Sequence, residues 1–262
     1  MEEIRMKNIA IVTGASSGIG KEFFLSLENK KQELDEIWVV ARSENKLQEL
    51  QNLSSLPVRV FAIDLSLPHA LTPIIECLEV ERPNVRYAVC ASGFGRFCAV
   101  EEDDSATLEN MVDLNCRSIV SITKAIEKYM HKDSVAILIA SVAAFQPIPY
   151  IATYGATKAF VLSYGRAWNV ELKKTGARCL CVCPFWTKTA FFNRAETENC
   201  VVKNYAVMYE PQQIVKRAWK DVKKKKKDVS IFGKYAKFQA LLDKALPHKL
   251  VMKVWLKQQK IK

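Results

Sequence analysis

The chain has 262 residues, 49% of them hydrophobic, and a formal net charge of +11, a size that fits one large α/β domain. No apolar stretch reaches the ~18 to 20 residues of a membrane span, and the N-terminus lacks the charged and apolar regions of a signal peptide, so a cytoplasmic protein, at most peripheral to a membrane, is expected. Eight cysteines do not make a disulfide scaffold in a chain of this size, and His69, His131 and His248 are scattered, so no metal site is expected.

The first predicted element is an apolar strand, Asn8-Ile9-Ala10-Ile11-Val12, which runs into Thr13-Gly14-Ala15-Ser16-Ser17-Gly18-Ile19-Gly20 and a helical pattern from about Lys21. In such a loop the first glycine makes the tight turn, the second lets backbone approach a pyrophosphate, and the third lets helix pack closely on strand. The helix N-terminus adds free N–H groups and partial positive charge for the phosphates. A dinucleotide cradle is therefore predicted over Gly14, Ser16, Ser17, Gly18, Ile19 and Gly20. A second strand, Glu36 to Ala41, ends in Arg42 and Ser43, where a NAD-specific site would carry a carboxylate for the ribose 2′-hydroxyl. A guanidinium suits a 2′-phosphate instead, so NADP is predicted; the alternative is that Arg42 caps the strand in solvent.

Phe94 and Phe97 follow the fourth strand, and the apolar run Ser134 to Ala140 ends at Ser141. Thirteen positions on, Tyr154 and Lys158 stand four apart in a helical stretch, so the phenol and the ammonium share one face. A cation held near a tyrosine favours its phenolate and lowers its pKa, and a tyrosine tuned in this way can pass a proton to or from a substrate oxygen. Between them lies Phe145-Gln146-Pro147-Ile148-Pro149-Tyr150. Cys179, Cys181 and Cys183 alternate along the next strand, Arg178 to Cys183, which puts all three on one face as small hydrophobes. A stretch from about Trp186 to Tyr209 holds Phe191, Phe192, Tyr205, Met208 and Tyr209, an aromatic lining for a hydrophobic ligand. Arg96, Lys188 or Arg194 could meet an anionic tail on that ligand; the alternative is three solvated surface charges.

Charge is unevenly spread. From Lys220 onward there are 14 Lys and 3 Asp, while residues 1–219 balance at 25 basic and 25 acidic. Beyond the run Lys223 to Lys227, Tyr235, Phe238, Leu241, Leu242 and Leu246 recur at helical spacing, and after Pro247 come Leu250, Val251, Val254 and Trp255 with Lys253 and Lys257. A basic amphipathic helix of this kind can lie on an anionic membrane. It can equally pack its apolar stripe on the enzyme or on a second subunit. Specific nucleic-acid binding is not expected, because lysines without a reading motif make only salt-sensitive, nonspecific contacts.

The chain resembles the short-chain dehydrogenase/reductase family over about residues 6 to 233. The resemblance rests on the glycine loop from Thr13 to Gly20, Asp64-Leu65 after the third strand, Asn115 in Asp113-Leu114-Asn115, Ser141, Tyr154 with Lys158, and Pro184 followed by Thr187 and Thr189. From Tyr154 through Lys158-Ala159-Phe160-Val161 to Glu171 and Cys183-Pro184 it is similar to a branch with 3-oxoacyl reductase-like and hydroxysteroid dehydrogenase-like members. The resemblance implies a Rossmann-type doubly wound parallel sheet with helices on both faces, here with a basic C-terminal helical extension. Residues 1–233 would be the catalytic domain, with a substrate lid at about 186–209, and 234–262 the extension.

The resemblance also implies roles. Tyr154 would give the proton to the carbonyl oxygen during reduction, Ser141 would hydrogen-bond that oxygen, and Lys158 would lower the tyrosine pKa and hold the nicotinamide ribose. Asn115 would hold a water relaying protons to Lys158, and Asp64, helped by the Leu65 backbone, would bond the adenine. Two departures stand out. Cys90-Ala91-Ser92-Gly93 replaces the family's Asn-Asn-Ala-Gly, keeping the small residues of the cofactor turn at Ala91, Ser92 and Gly93 but losing the amides. Pro184-Phe185-Trp186 replaces Pro-Gly, so glycine's freedom to take positive φ is lost there. The expected activity is NADP(H)-dependent interconversion of a hydrophobic ketone and secondary alcohol, of steroid or fatty-acyl type, in a homo-oligomer. The alternative is a non-catalytic NADP-binding regulatory or scaffold protein that docks through its basic tail. The intact set Asn115, Ser141, Tyr154 and Lys158 separates the two, since a non-catalytic relative would be free to lose one.

Overall fold

A computed structural model of the chain describes residues 5–196, 198 and 200–261. Thr197 and Asn199 of the expected lid, the first four residues of the expected catalytic domain and Lys262 of the extension lie outside the described residues. Seven strands run in one parallel sheet: β1 (Asn8–Thr13), β2 (Glu36–Ala41), β3 (Val58–Ala62), β4 (Asn84–Cys90), β5 (Val135–Ile139), β6 (Arg178–Val182) and β7 (Val229–Ser230). Their spatial order is β3-β2-β1-β4-β5-β6-β7. β2 and β5 are buried along their whole length, which is why they read as continuous apolar runs and not as alternating ones.

Helices α1 (Gly18–Ser26), α2 (Glu44–Gln51), α3 (Thr72–Glu81), α4 (Ser105–Val112), α5 (Ser118–Ile126) and α6 (Ala152–Glu171) follow the strands, then α7 (Phe192–Ala195), α8 (Pro211–Val222), α9 (Lys234–Ala245) and α10 (His248–Gln259). Alternate strand residues feed two cores. Ile9, Ile11, Trp38 and Val40 face α3, α5 and α6 through Leu78, Ile122 and Val161. Ala10, Val12, Ile37 and Val39 face α1, α2 and α8 through Phe23, Leu47 and Ile214. Helices thus cover both faces of the sheet. Cys179, Cys181 and Cys183 lie together in the first core, as their alternation predicts. α1 begins at Gly18 and not near Lys21, because the last turn of the glycine loop is itself helical.

β1 pairs with β2 on one side and β4 on the other. The chain order reverses there, which opens a crevice at the carboxyl ends of these strands. Two later segments roof it. The stretch expected to be a lid is stitched at its base, where Lys188 N–H donates to the Tyr209 carbonyl and Tyr209 N–H to the Trp186 carbonyl, both at 2.9 Å. α10 is tied to the body by Trp255, whose indole N–H donates to the Pro149 carbonyl at 3.0 Å, and by Gln259, which exchanges bonds with the Asn204 backbone at 3.0 and 3.1 Å.

α9 corrects the expected stripe. Its buried residues are Ala236, Ala240 and Asp243, whereas Phe238 and Leu241 are 59% and 63% exposed. The alanines pack with Val142 and Phe145. A small-residue face lets the helix lie close to that turn, and Phe238 and Leu241 point away.

Candidate active site

A cavity of about 780 Å³ runs along the carboxyl ends of the strands, within the range of ligand sites. At one end lies the glycine loop. Gly14 has φ +66°, and a Cβ there would stand 2.8–2.9 Å from the Ala91 and Ser92 backbone, so this position needs glycine both for its conformation and for its neighbour. Ser16, Ser17, Gly18, Ile19 and Gly20 continue the same wall. Ala91, Ser92 and Gly93 line the cavity beside Gly14, and the Thr13 hydroxyl accepts from the Ala91 and Ser92 N–H groups at 3.1 and 3.3 Å. A strand hydroxyl thus holds the turn that lacks the family's amides.

The adenosine end expected from the sequence holds Arg42, Asp64 and Leu65. The Arg42 side chain is 62% exposed, with its guanidinium 3.9 Å from the Asp64 carboxylate. Partial burial pulls the Asp64 carboxyl up, but hydrogen bonds from Ser66, then the charges of Arg42 and Arg194, leave it below its usual value. Ser43, Lys46 and Arg194 border the same cavity. The Arg194 guanidinium lies over the Phe94 ring, its Cζ 3.4 Å from the centroid. Burial, and then the Arg42 charge, push its pKa down. Of the three cations considered for an anionic ligand, only Arg194 borders the cavity; Arg96 pairs with Asp103 at 2.9 Å and Lys188 with Glu210 at 2.6 Å.

Ser141, Tyr154 and Lys158 meet at the middle of the cavity. Ser141 follows β5 by two residues and caps the turn Val142–Phe145, where its Oγ accepts from Ala143 N–H at 3.1 Å. Tyr154 and Lys158 lie on α6, with the Lys158 Nζ 5.6 Å from the tyrosine ring centroid. That ammonium donates to the Ile139 carbonyl at 2.8 Å. Burial pushes Tyr154 up to about 12 while the Ser141 hydroxyl pulls the other way, and burial pushes Lys158 down to about 8. In this arrangement burial of the phenol, and not the Lys158 charge, sets the direction of its shift.

Asn115 does not border the cavity. It lies behind Gly93, on the segment Asp113–Arg117, which winds as a π-helix between α4 and α5, a local feature frequent at functional sites. Its amide nitrogen donates to the Phe94 carbonyl at 2.8 Å and the Thr157 hydroxyl at 3.0 Å, and its Oδ1 accepts from Phe94 N–H at 3.1 Å. A Cβ at Gly93 would stand 2.8 Å from that Oδ1 and 3.5 Å from the Lys158 Nζ. The side chain clamps the cofactor turn to α6. Both amide hydrogens are used within the protein, so only the second lone pair of Oδ1 is free for the expected water.

The far end is the aromatic pocket. Phe185, Trp186, Phe191, Phe192 and Trp255 line it with Ile148 and Ile151, and Phe191 stands 5.3 Å from the Tyr154 ring. Phe185 is not among the positive-φ residues, so the missing glycine costs no strain; its ring packs on Tyr235 at 5.4 Å. Pro184, Thr187 and Thr189 follow along the wall. Phe97, Tyr205, Met208 and Tyr209 do not border the cavity. Phe97 is fully buried behind Phe191 and Phe192, and Tyr205 backs Trp186 and Phe192 at 5.0 Å each. Residues from the C-terminal segment complete the pocket: Tyr235 and Gln239 from α9, and Trp255, Gln258 and Gln259 from α10. Helical spacing marked Tyr235 and Trp255 as apolar positions, but nothing in the sequence marked the glutamines.

A family model described as short chain dehydrogenase matches residues 8–199. An uncharacterized oxidoreductase of Staphylococcus epidermidis is 27% identical over 186 residues, 70% of this chain and 79% of the relative. A very-long-chain 3-oxoacyl-CoA reductase of Neurospora crassa is 27% identical over 225 residues, 80% of this chain but 63% of the relative's length. Among solved structures, a short-chain dehydrogenase from Sphingobium yanoikuyae in complex with NADPH superimposes with a TM-score of 0.75 at 24% identity, covering 94% of this chain and 95% of the other. One from Burkholderia phymatum in complex with NAD gives 0.77 at 16% identity, covering 97% of both. At these identities the structures share the fold, and their two cofactors do not select between NAD and NADP for this chain.

Proposed function

Since the chain belongs to the short-chain dehydrogenase family of oxidoreductases, acting between C=O and CH–OH, we propose that it is an NADP(H)-dependent enzyme interconverting a hydrophobic ketone and its secondary alcohol. The observation that carries this reading is one continuous cavity with the glycine cradle at one end, Ser141, Tyr154 and Lys158 at its middle and aromatic walls at the other. Gly14 to Gly20 and the Ala91–Gly93 turn would hold the cofactor's phosphates and nicotinamide half. Bound there, the cofactor supplies or takes up the hydride.

Tyr154 is the proton donor and acceptor, and Ser141 orients the substrate oxygen toward it. With its pKa raised, the phenol is fully protonated at neutral pH and ready to give a proton to a ketone oxygen. Lys158, anchored by the Ile139 carbonyl, brings positive charge beneath the site. Asn115 keeps the Gly93 turn in register with α6.

NADP preference rests on Arg42, Lys46 and Arg194 bordering one end of the cavity, three cations against the single carboxylate of Asp64. The substrate class rests on the aromatic walls and on the likeness to a 3-oxoacyl-CoA reductase. A homo-oligomer belongs to the same reading, because Val112, Val120, Phe160 and Val170 stand exposed on α4, α5 and α6; light scattering of a monomer would remove it.

The test is NADPH and NADH oxidation, followed by absorbance, with 3-oxoacyl thioesters, oxosteroids and simple aromatic ketones. Turnover with NADPH on one class is expected. Tight NADPH binding with no turnover across the panel would favour the regulatory alternative.

A further inference from the structure

Each helix of the C-terminal segment has two working sides. The inner side enters the cavity or the core through Tyr235 and Gln239 on α9 and through Trp255 and Gln258 on α10. On the outer side, Phe238 and Leu241 of α9 are joined by Leu250 and Val254 of α10, each 46% exposed. The same segment carries seven lysines between Lys234 and Lys260, all of them exposed. Among the described residues none of the seven forms an ion pair, although Lys244 leans over the Phe145 ring at 4.5 Å. The only carboxylate in the segment, Asp243, is 1% exposed and takes no part in the outer surface.

We propose that the outer faces of α9 and α10 form a docking surface for an anionic lipid bilayer, which the helices lie on and do not cross. Lysines interleaved with exposed phenylalanine, leucine and valine suit the headgroup boundary, where charge and apolar surface are both satisfied. No helix among the described residues is long and apolar enough to cross a membrane. A second copy is the poorer occupant: a two-fold contact through this face would set one group of lysines against its twin, and the other 233 residues carry a net charge of +4, so they offer it no acidic excess. Nucleic acid would engage the lysines and leave four large apolar side chains in water. Docking in this way sets the helices that wall the cavity at the lipid boundary, where an acyl or sterol ketone dissolves.

The full chain is sedimented with phosphatidylcholine vesicles, with and without phosphatidylglycerol, at low and high salt. Binding to the anionic vesicles at low salt is expected, weakened about tenfold or more without phosphatidylglycerol or in high salt. Phe238→Ser with Leu241→Ser should lower the affinity by at least about tenfold, and Lys253→Gln with Lys257→Gln by about 25-fold, at roughly fivefold per lysine. Both double variants change exposed residues outside the site, so reduction of a water-soluble ketone should stay at the parent rate. The proposal is overturned if the protein stays in the supernatant with anionic vesicles at low salt. It fails equally if both variants sediment like the parent, or if the serine variant breaks up a parent dimer that ignores vesicles. None of these readings depends on turnover, so they stand apart from the proposed activity.

Discussion

Tyr154 and Arg42 carry the sharpest expectations for single residues. Tyr154→Phe keeps the ring against Phe191 and removes the proton, so NADPH binding should survive while turnover falls by about 10² to 10⁴; cofactor titration beside steady-state rates reads both, and an active variant ends the mechanism. With the phenol near 12 and Lys158 near 8, neither group titrates much between pH 6 and 7.5. Ketone reduction should therefore be flat there, while alcohol oxidation, which needs the scarce phenolate, should rise about tenfold per pH unit. A flat oxidation profile contradicts this assignment. Arg42→Ala should weaken NADPH by about 10- to 100-fold, the worth of a charged hydrogen bond, and leave NADH nearly unchanged; equal losses for both cofactors refute the 2′-phosphate role. These residues could be picked out in the chain because their chemistry is tied to short local spacings. The hold of the Thr13 hydroxyl on the Ala91–Gly93 turn and the place of Lys46 in the cavity wall could not, because a hydroxyl in a strand or a cation on a helix acquires its meaning only from the distant segment it meets.

At the level of elements, the strands were legible to within a residue at β1 and β2, since burial on both faces demands unbroken apolar runs. The outward side of α9 was not, because helical spacing locates an apolar stripe without saying whether alanines or leucines meet the neighbour. The same helix buries Asp243, with one carboxylate oxygen unpartnered and the other accepting from Gln239 at 2.8 Å. Burial lifts its pKa from 3.8 to about 6, against opposing effects of Gln239 and His248. The folded state thus holds the proton more tightly than the unfolded chain, so its contribution is fully present below about pH 4 and is lost as pH rises through about 6. Asp243→Asn should accordingly raise stability by roughly 1 to 3 kcal/mol at pH 7.5 and by little at pH 4. Urea unfolding at the two values decides it, and an equal gain at both would exclude ionisation as the cause.

Across the whole molecule, the cavity joins parts far apart in the chain: a loop near residue 14, the α6 pair, the lid and the last helix. Trp255 packs against Trp186 with centroids 6.4 Å apart and bonds to Pro149, so it braces lid and substrate segment together. Trp255→Ala should raise KM for a bulky ketone about tenfold or more while NADPH affinity is kept; an unchanged KM would show that the tail is only a cover. The sequence left that wall as one of three uses for residues 234–262, packing on the enzyme, on a second subunit or on a membrane, because periodicity reports that a face is apolar and never what it will touch. The arrangement also gives synthesis a direction. The glycine loop leaves the ribosome first, and Trp255, the latest aromatic of the pocket wall, follows the end of β7 by about 25 residues, a lag of a few seconds at ordinary elongation rates. A nascent chain would thus complete its glycine loop and the α6 pair before its last helix closed the pocket over them.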